Sequence, residues 1–123
     1  MIFKTQQIKG QGRGHQIGFP TINLEIPSDL VLDEGVYASW VTINDVPYKG
    51  ALHYGAIPTF DQEDRSIEVF LLDETDETIP ETHGVVIEVD IVEYIREVKK
   101  FSDSFILSDQ IAKDVSRVRS ILS

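Results

Sequence analysis

The hydrophobic pattern of this chain changes period once, near residue 103, and that change excludes most architectures. Leu107, Ile111, Val115, Val118 and Leu122 recur at steps of four, four, three and four, which places them on one face of an α-helix. Before that point the apolar stretches are short and β-branched, and Gly, Pro and Asn-Asp signals break them up. Strands without interleaved helices do not build a parallel βαβ sheet. The pattern predicts about six strands closed into an antiparallel β-barrel, with the C-terminal helix as a lid. Strands are expected at Ile22 to Ile26, Val36 to Ile43, Val46 to Leu52, Ser66 to Leu72 and Val85 to Ile95. Asn44-Asp45 supplies hairpin turn chemistry, and Pro47 restricts the arm after it to an edge or a bulge. Ser102 or Ser104 is expected to cap the helix, with Asp103 near the positive end of its dipole and Lys113, Arg117 and Arg119 toward the negative end.

A chain of 123 residues suffices for one core, so residues 1–123 are expected to form a single domain that binds any ligand in its loops or open mouth. The balance of 11 Lys+Arg against 21 Asp+Glu gives a formal charge of −10, which disfavours a broad nucleic-acid surface. No apolar run approaches the roughly 18 residues of a membrane span, and the N-terminal MIFKTQQIKG lacks the apolar centre of a signal peptide. A cytoplasmic, monomeric protein without a membrane partner is expected. The absence of cysteine removes disulfides, thiolate zinc sites and cysteine nucleophiles together. His53 and His83 have no nearby ligand partners in sequence, no GxSxG elbow is present, and the acidic run Asp73 to His83 reads as a solvated loop.

Three places could carry chemistry. The run GQGRGHQIG places Gly10, Gly12, Gly14 and Gly18 around Arg13 and His15. Such a loop can turn its amides toward phosphates, or it can be a plain mobile loop; its spacing fits neither a P-loop nor a Rossmann fingerprint. After Pro20, Thr21 and Asn23 share one face of an extended segment and offer hard oxygen donors suited to a phosphate-bound magnesium, unless they only finish a turn. Glu68 interrupts IEVFLL, a strand apolar on both faces, so it either sits at a rim in water or is retained for use as a general base.

Together these blocks resemble the riboflavin kinase (flavokinase) module found in bacterial FAD synthetases. GRGHQIGFPTINL, GVYASWV, YKGALHYGAIPTF, IEVFLLD, REVKKF and SDQIAKDV follow the family's order across nearly the whole chain. The resemblance implies a six-stranded Greek-key barrel with a C-terminal helix, and ATP-dependent phosphorylation of the riboflavin ribityl 5′-hydroxyl to FMN. Gly10, Gly12, Arg13, Gly14, His15, Gly18, Pro20, Thr21 and Asn23 would then bind the ATP phosphates, with Thr21 and Asn23 also holding magnesium. Glu68 would accept the hydroxyl proton, and Arg96 and Phe101 would meet the flavin.

The chain departs from the family in two places. His53-Tyr54-Gly55 stands where relatives usually carry Asn-Ile-Gly, and the acidic segment before Gly84 is longer than usual. FAD synthesis is not expected, because no nucleotidylyltransferase motif is present. A non-catalytic flavin- or nucleotide-binding regulatory module, or a barrel that serves only protein interaction, are the alternative readings.

Overall fold

The computed structural model describes residues 1–8, 20–56, 65–75, 77–80, 82–99 and 103–123. Among these residues, strands β1 (Ile2–Thr5), β2 (Gln7–Ile8), β3 (Thr21–Leu24), β4 (Gly35–Ile43), β5 (Val46–Ala56), β6 (Arg65–Leu71) and β7 (Ile87–Arg96) precede helix α1 (Ser104–Ile121). The sheet order is β1-β7-β4-β5-β6-β3-β2, with antiparallel neighbours throughout. β1 and β2 lie at opposite ends of that order, yet Gln6 alone separates them in sequence. One N-terminal segment therefore holds both ends, and the sheet curls back on itself as a barrel. β3 is followed in sequence by β4 but pairs with β6, which is the Greek-key crossover.

The strand count is seven rather than six because the N-terminal segment divides at Gln6. Its carbonyl accepts from Glu25 N at 2.9 Å, and the Met1 carbonyl accepts from Ile91 N at 2.8 Å. No strand is expected in this segment from the sequence. Its residues in contact with the core are Phe3 and a buried threonine, Thr5, so the alternation that signals a strand is faint.

Period-two alternation then decides what lies inside. Ile22 and Leu24, Tyr37, Val41 and Ile43, Leu52 and Tyr54, Ile67, Val69 and Leu71, and Ile87 and Val89 fill the interior as one cluster. Gly50 is needed there: a Cβ at this position would meet Val69 Cγ1 at 2.7 Å. Asn44 and Asp45 both take positive φ, 52° and 65°, as a tight hairpin turn requires. Pro47 pairs with Thr42 of β4, whereas β6 joins β5 only from Gly50 onward, so the missing N–H falls on an open edge.

The outer face of the sheet carries the helix. Val118 and Leu122 of α1 pack on Ala38, Ala51 and Leu72, with Trp40, Phe70 and Val115 at the margin. The helix thus covers one side of the barrel rather than its mouth. Its cap is Asp103 itself, whose carboxylate accepts from Ile106 N at 2.9 Å, in place of the expected serines. The acidic run is more anchored than a solvated loop: Asp73 pairs with Arg119 at 2.8 Å, Ile79 packs on the core and Thr82 is buried.

A second tie is buried. Arg96 Nε and Nη2 donate to the Asp114 carboxylate at 2.9 and 2.7 Å, and Gln110 donates to it at 3.0 Å. Breaking a largely buried pair costs more than breaking an exposed one, so Asp114→Ala should lose up to about 3–5 kcal/mol in urea unfolding. Asp73→Ala, which breaks an exposed pair, should lose less than about 1 kcal/mol in the same assay. Equal losses would contradict the assignment of the helix anchor to Asp114.

Candidate functional site

The alternation that fills the barrel with Ile22, Leu24, Ile67 and Val69 sends Thr21, Asn23, Glu68 and Phe70 to the outer face. Register sorts that face into rows. In one row Asn23 lies opposite Glu68, Glu68 opposite His53, His53 opposite Val36, and Val36 opposite Arg96. In the next, Thr21 and Ala51 flank Phe70, where the margin of the helix contact begins. A polar row therefore runs beside the apolar rows that bind α1.

These polar groups are not solvated. Glu68 is 2% exposed, Thr21 6% and Asn23 8%. Thr21 Oγ1 and Ser66 Oγ are buried with no hydrogen-bond partner among the described residues. Buried hydroxyls are ordinarily paired, so two unpaired ones on this face stand out. Pro20 leads β3 into position, its carbonyl accepting from Leu71 N at 3.3 Å.

Among the described residues no group of three or more His, Asp or Glu side chains could hold a metal by itself. The donors present, one hydroxyl and one amide oxygen, suit a hard cation that keeps phosphate and water in most of its coordination sphere. Next to Val36 at the start of β4, the Tyr37 hydroxyl donates to the Asp33 carbonyl and its ring meets Tyr94 edge-on at 5.4 Å. Burial, and next the Asp33 charge, push the Tyr37 pKa above its ordinary value, so this hydroxyl stays protonated and structural.

Pro20, Thr21, Asn23 and Glu68 thus come together on the β3–β6 ladder. Arg96 lies three strands along the row from Glu68, its guanidinium on Asp114 and the Glu97 carbonyl. Gly10, Gly12, Arg13, Gly14, His15, Gly18 and Phe101 fall outside the described residues. The sequence model described as riboflavin kinase, Flavokinase, matches residues 1–122. The chain belongs to the riboflavin kinase family.

Its relatives agree. It is 36% identical over 111 residues to the bifunctional riboflavin kinase/FMN adenylyltransferase of Bacillus subtilis, covering 87% of this chain and 34% of that protein. It is 33% identical over 112 residues to the RNA-binding riboflavin kinase RibR of the same organism, covering 90% of this chain and 46% of RibR. The chain therefore spans less than half the length of these two relatives. The crystal structure of riboflavin kinase from Trypanosoma brucei superposes with a TM-score of 0.72 at 24% identity, over 98% of this chain and 78% of that one. A Streptococcus pneumoniae structure described as a macrolide-efflux protein superposes at 0.82 with 28% identity, over 96% of this chain and 38% of that one.

Two residues, one on this face and one on the helix, have no signature in sequence. His53 lacks nearby ligand partners in the chain, and only the cross-strand register shows that it adjoins Glu68. Asp114 was one polar residue among many on a helix, and no local pattern announces its burial against Arg96. The orphaned hydroxyl gives a direct check. Thr21→Val keeps the shape and removes the unpaired group, so the ligand-free protein should unfold at the same or a higher midpoint, gaining up to about 1–2 kcal/mol. A loss of that size would mean that the hydroxyl serves the fold.

Proposed function

We propose that this riboflavin kinase family member transfers the γ-phosphoryl group of ATP to the ribityl 5′-hydroxyl of riboflavin, giving FMN, with residues 1–123 acting as one functional unit. The observation that carries the reading is the buried Glu68 carboxyl group, directly opposite Asn23 and on the same face as the unpaired Thr21 hydroxyl. Phosphoryl transfer asks mainly for positioning and charge neutralisation, and this face offers a base beside oxygen donors in a water-poor setting.

In this reading Glu68 accepts the hydroxyl proton as the ribityl oxygen attacks phosphorus. Thr21 and Asn23 hold a magnesium ion, which when bound neutralises phosphate charge; the orphaned hydroxyl and the all-oxygen donor pair fit that ion. Pro20 sets the start of the strand. The segment with Gly10, Gly12, Arg13, Gly14, His15 and Gly18 receives the ATP phosphates, a role that rests on its amide-rich, cationic composition.

For the flavin, Arg96 and Phe101 remain the proposed residues. Because Asp114 already binds the Arg96 guanidinium, Arg96 contributes by fixing the chain that leads toward Phe101. The reading includes a monomer in the cytoplasm with ATP and riboflavin as its ligands. Among the described residues no helix is long and apolar enough to cross a membrane. The charge of −10 argues against a nucleic-acid partner.

The test is FMN formation by wild type and Glu68→Gln side by side. Wild type should form FMN only with ATP, riboflavin and magnesium, and Glu68→Gln should lower kcat by about 10²–10⁴-fold with little change in the KM for ATP. Binding of both substrates without turnover would replace this reading with a non-catalytic flavin- or nucleotide-binding module.

A further inference from the structure

Glu68 has two cross-strand neighbours on the face of the site, Asn23 from β3 and His53 from β5. Residues directly opposite in an antiparallel ladder hold their Cβ atoms about 4.5–5.5 Å apart on one face. The imidazole of His53 therefore shares the surroundings of the carboxyl group, and its Nδ1 is shielded from solvent. At 2% exposure, a carboxylate there depends on donors brought by its neighbours.

The groups facing His53 differ by element. From β6 come Glu68 and, one step along the same face, Ser66. From β4 comes Val36, apolar and 3% exposed. Beyond Val36, β7 brings Arg96, whose charge is matched by Asp114 of α1 at 2.7 Å. Glu34, just before β4, pairs with Arg65 at 3.3 Å in an exposed position. Among the described residues, the acidic group directly across the ladder from His53 is that of Glu68.

We infer that His53 is a positioning residue for the phosphoryl transfer, bracing the Glu68 carboxyl group from its cross-strand place on β5. With substrates bound, an imidazole N–H donates to the carboxylate and holds it toward the ribityl hydroxyl. The proton passes from the hydroxyl to Glu68, the ribityl oxygen bonds to the γ-phosphorus, and ADP departs; His53 keeps its own proton and touches neither substrate. The inference rests on the kinase reading above.

Steady-state kinetics and thermal melting of wild type, His53→Ala, His53→Asn, Glu68→Gln and the double variant His53→Ala/Glu68→Gln decide it. His53→Ala should lower kcat by about 10-fold or more, with the KM values for ATP and riboflavin within about twofold and an unchanged melting midpoint. His53→Asn, which still presents an N–H donor, should recover most of kcat, and the double variant should be no slower than Glu68→Gln alone. The inference is overturned if His53→Ala keeps kcat within twofold of wild type, if His53→Asn recovers nothing, or if His53→Ala costs the same factor with and without Glu68. A wild type that forms no FMN would remove the kinase reading itself, whereas an active wild type indifferent to His53 would remove this assignment alone.

Discussion

The site depends on the register of β6 between β3 and β5. Side chains on a strand alternate with a period of two, so a slip of one residue would carry Glu68 into the barrel and expel Ile67 and Val69 from it. Both penalties are large: an ionised carboxylate in an apolar core costs several kcal/mol, and each aliphatic side chain lost from the core costs roughly 1.5–3 kcal/mol. The hydrophobic interior therefore specifies the chemistry outside it. By filling the barrel with Ile22, Leu24, Ile67 and Val69, the sequence forces Asn23 and Glu68 to face each other on the outer surface.

That surface is divided between two duties. One part is apolar and accepts α1 through Val118 and Leu122 on Ala38, Ala51 and Leu72. The other carries Thr21, Asn23, His53 and Glu68, buried or half-buried without belonging to either hydrophobic cluster. The pair Arg96–Asp114 ties the end of β7 to the helix and fixes the helix relative to the polar row. A buried ion pair adds little net stability over a well-packed apolar pair but tolerates few alternative geometries. Here it holds the helix against the same sheet that carries the row of Glu68.

Much of this was legible in the sequence, for reasons of period. The spacing of Thr21 and Asn23 places them on one face of any extended segment, and Glu68 stood out as a carboxylate in a strand otherwise apolar. The helix face from Leu107 to Leu122 is legible because burial follows the 3.6-residue repeat, with Ile111, Val118 and Leu122 buried and Leu107 and Val115 half-buried. What sequence concealed was long-range. Which strand pairs with β6 is set by topology, so the adjacency of His53 to Glu68 has no local signature. The N-terminal strand escaped notice because one of its inward residues, Thr5, is polar, its hydroxyl bonding the Glu25 carbonyl. Asp103 outcompeted its flanking serines as the cap, a choice between good capping residues that composition alone leaves open.

Phosphoryl transfer on the outer face of the β3–β6 ladder, with the base opposite Asn23, is tested most directly by a crystal structure of the chain with magnesium, ADP and FMN. The expected result is the metal on Thr21 and Asn23 and the FMN phosphoester oxygen within hydrogen-bond reach of the Glu68 carboxylate, about 2.6–3.2 Å. Nucleotide phosphates bound elsewhere, with Glu68 still buried away from them, would contradict it.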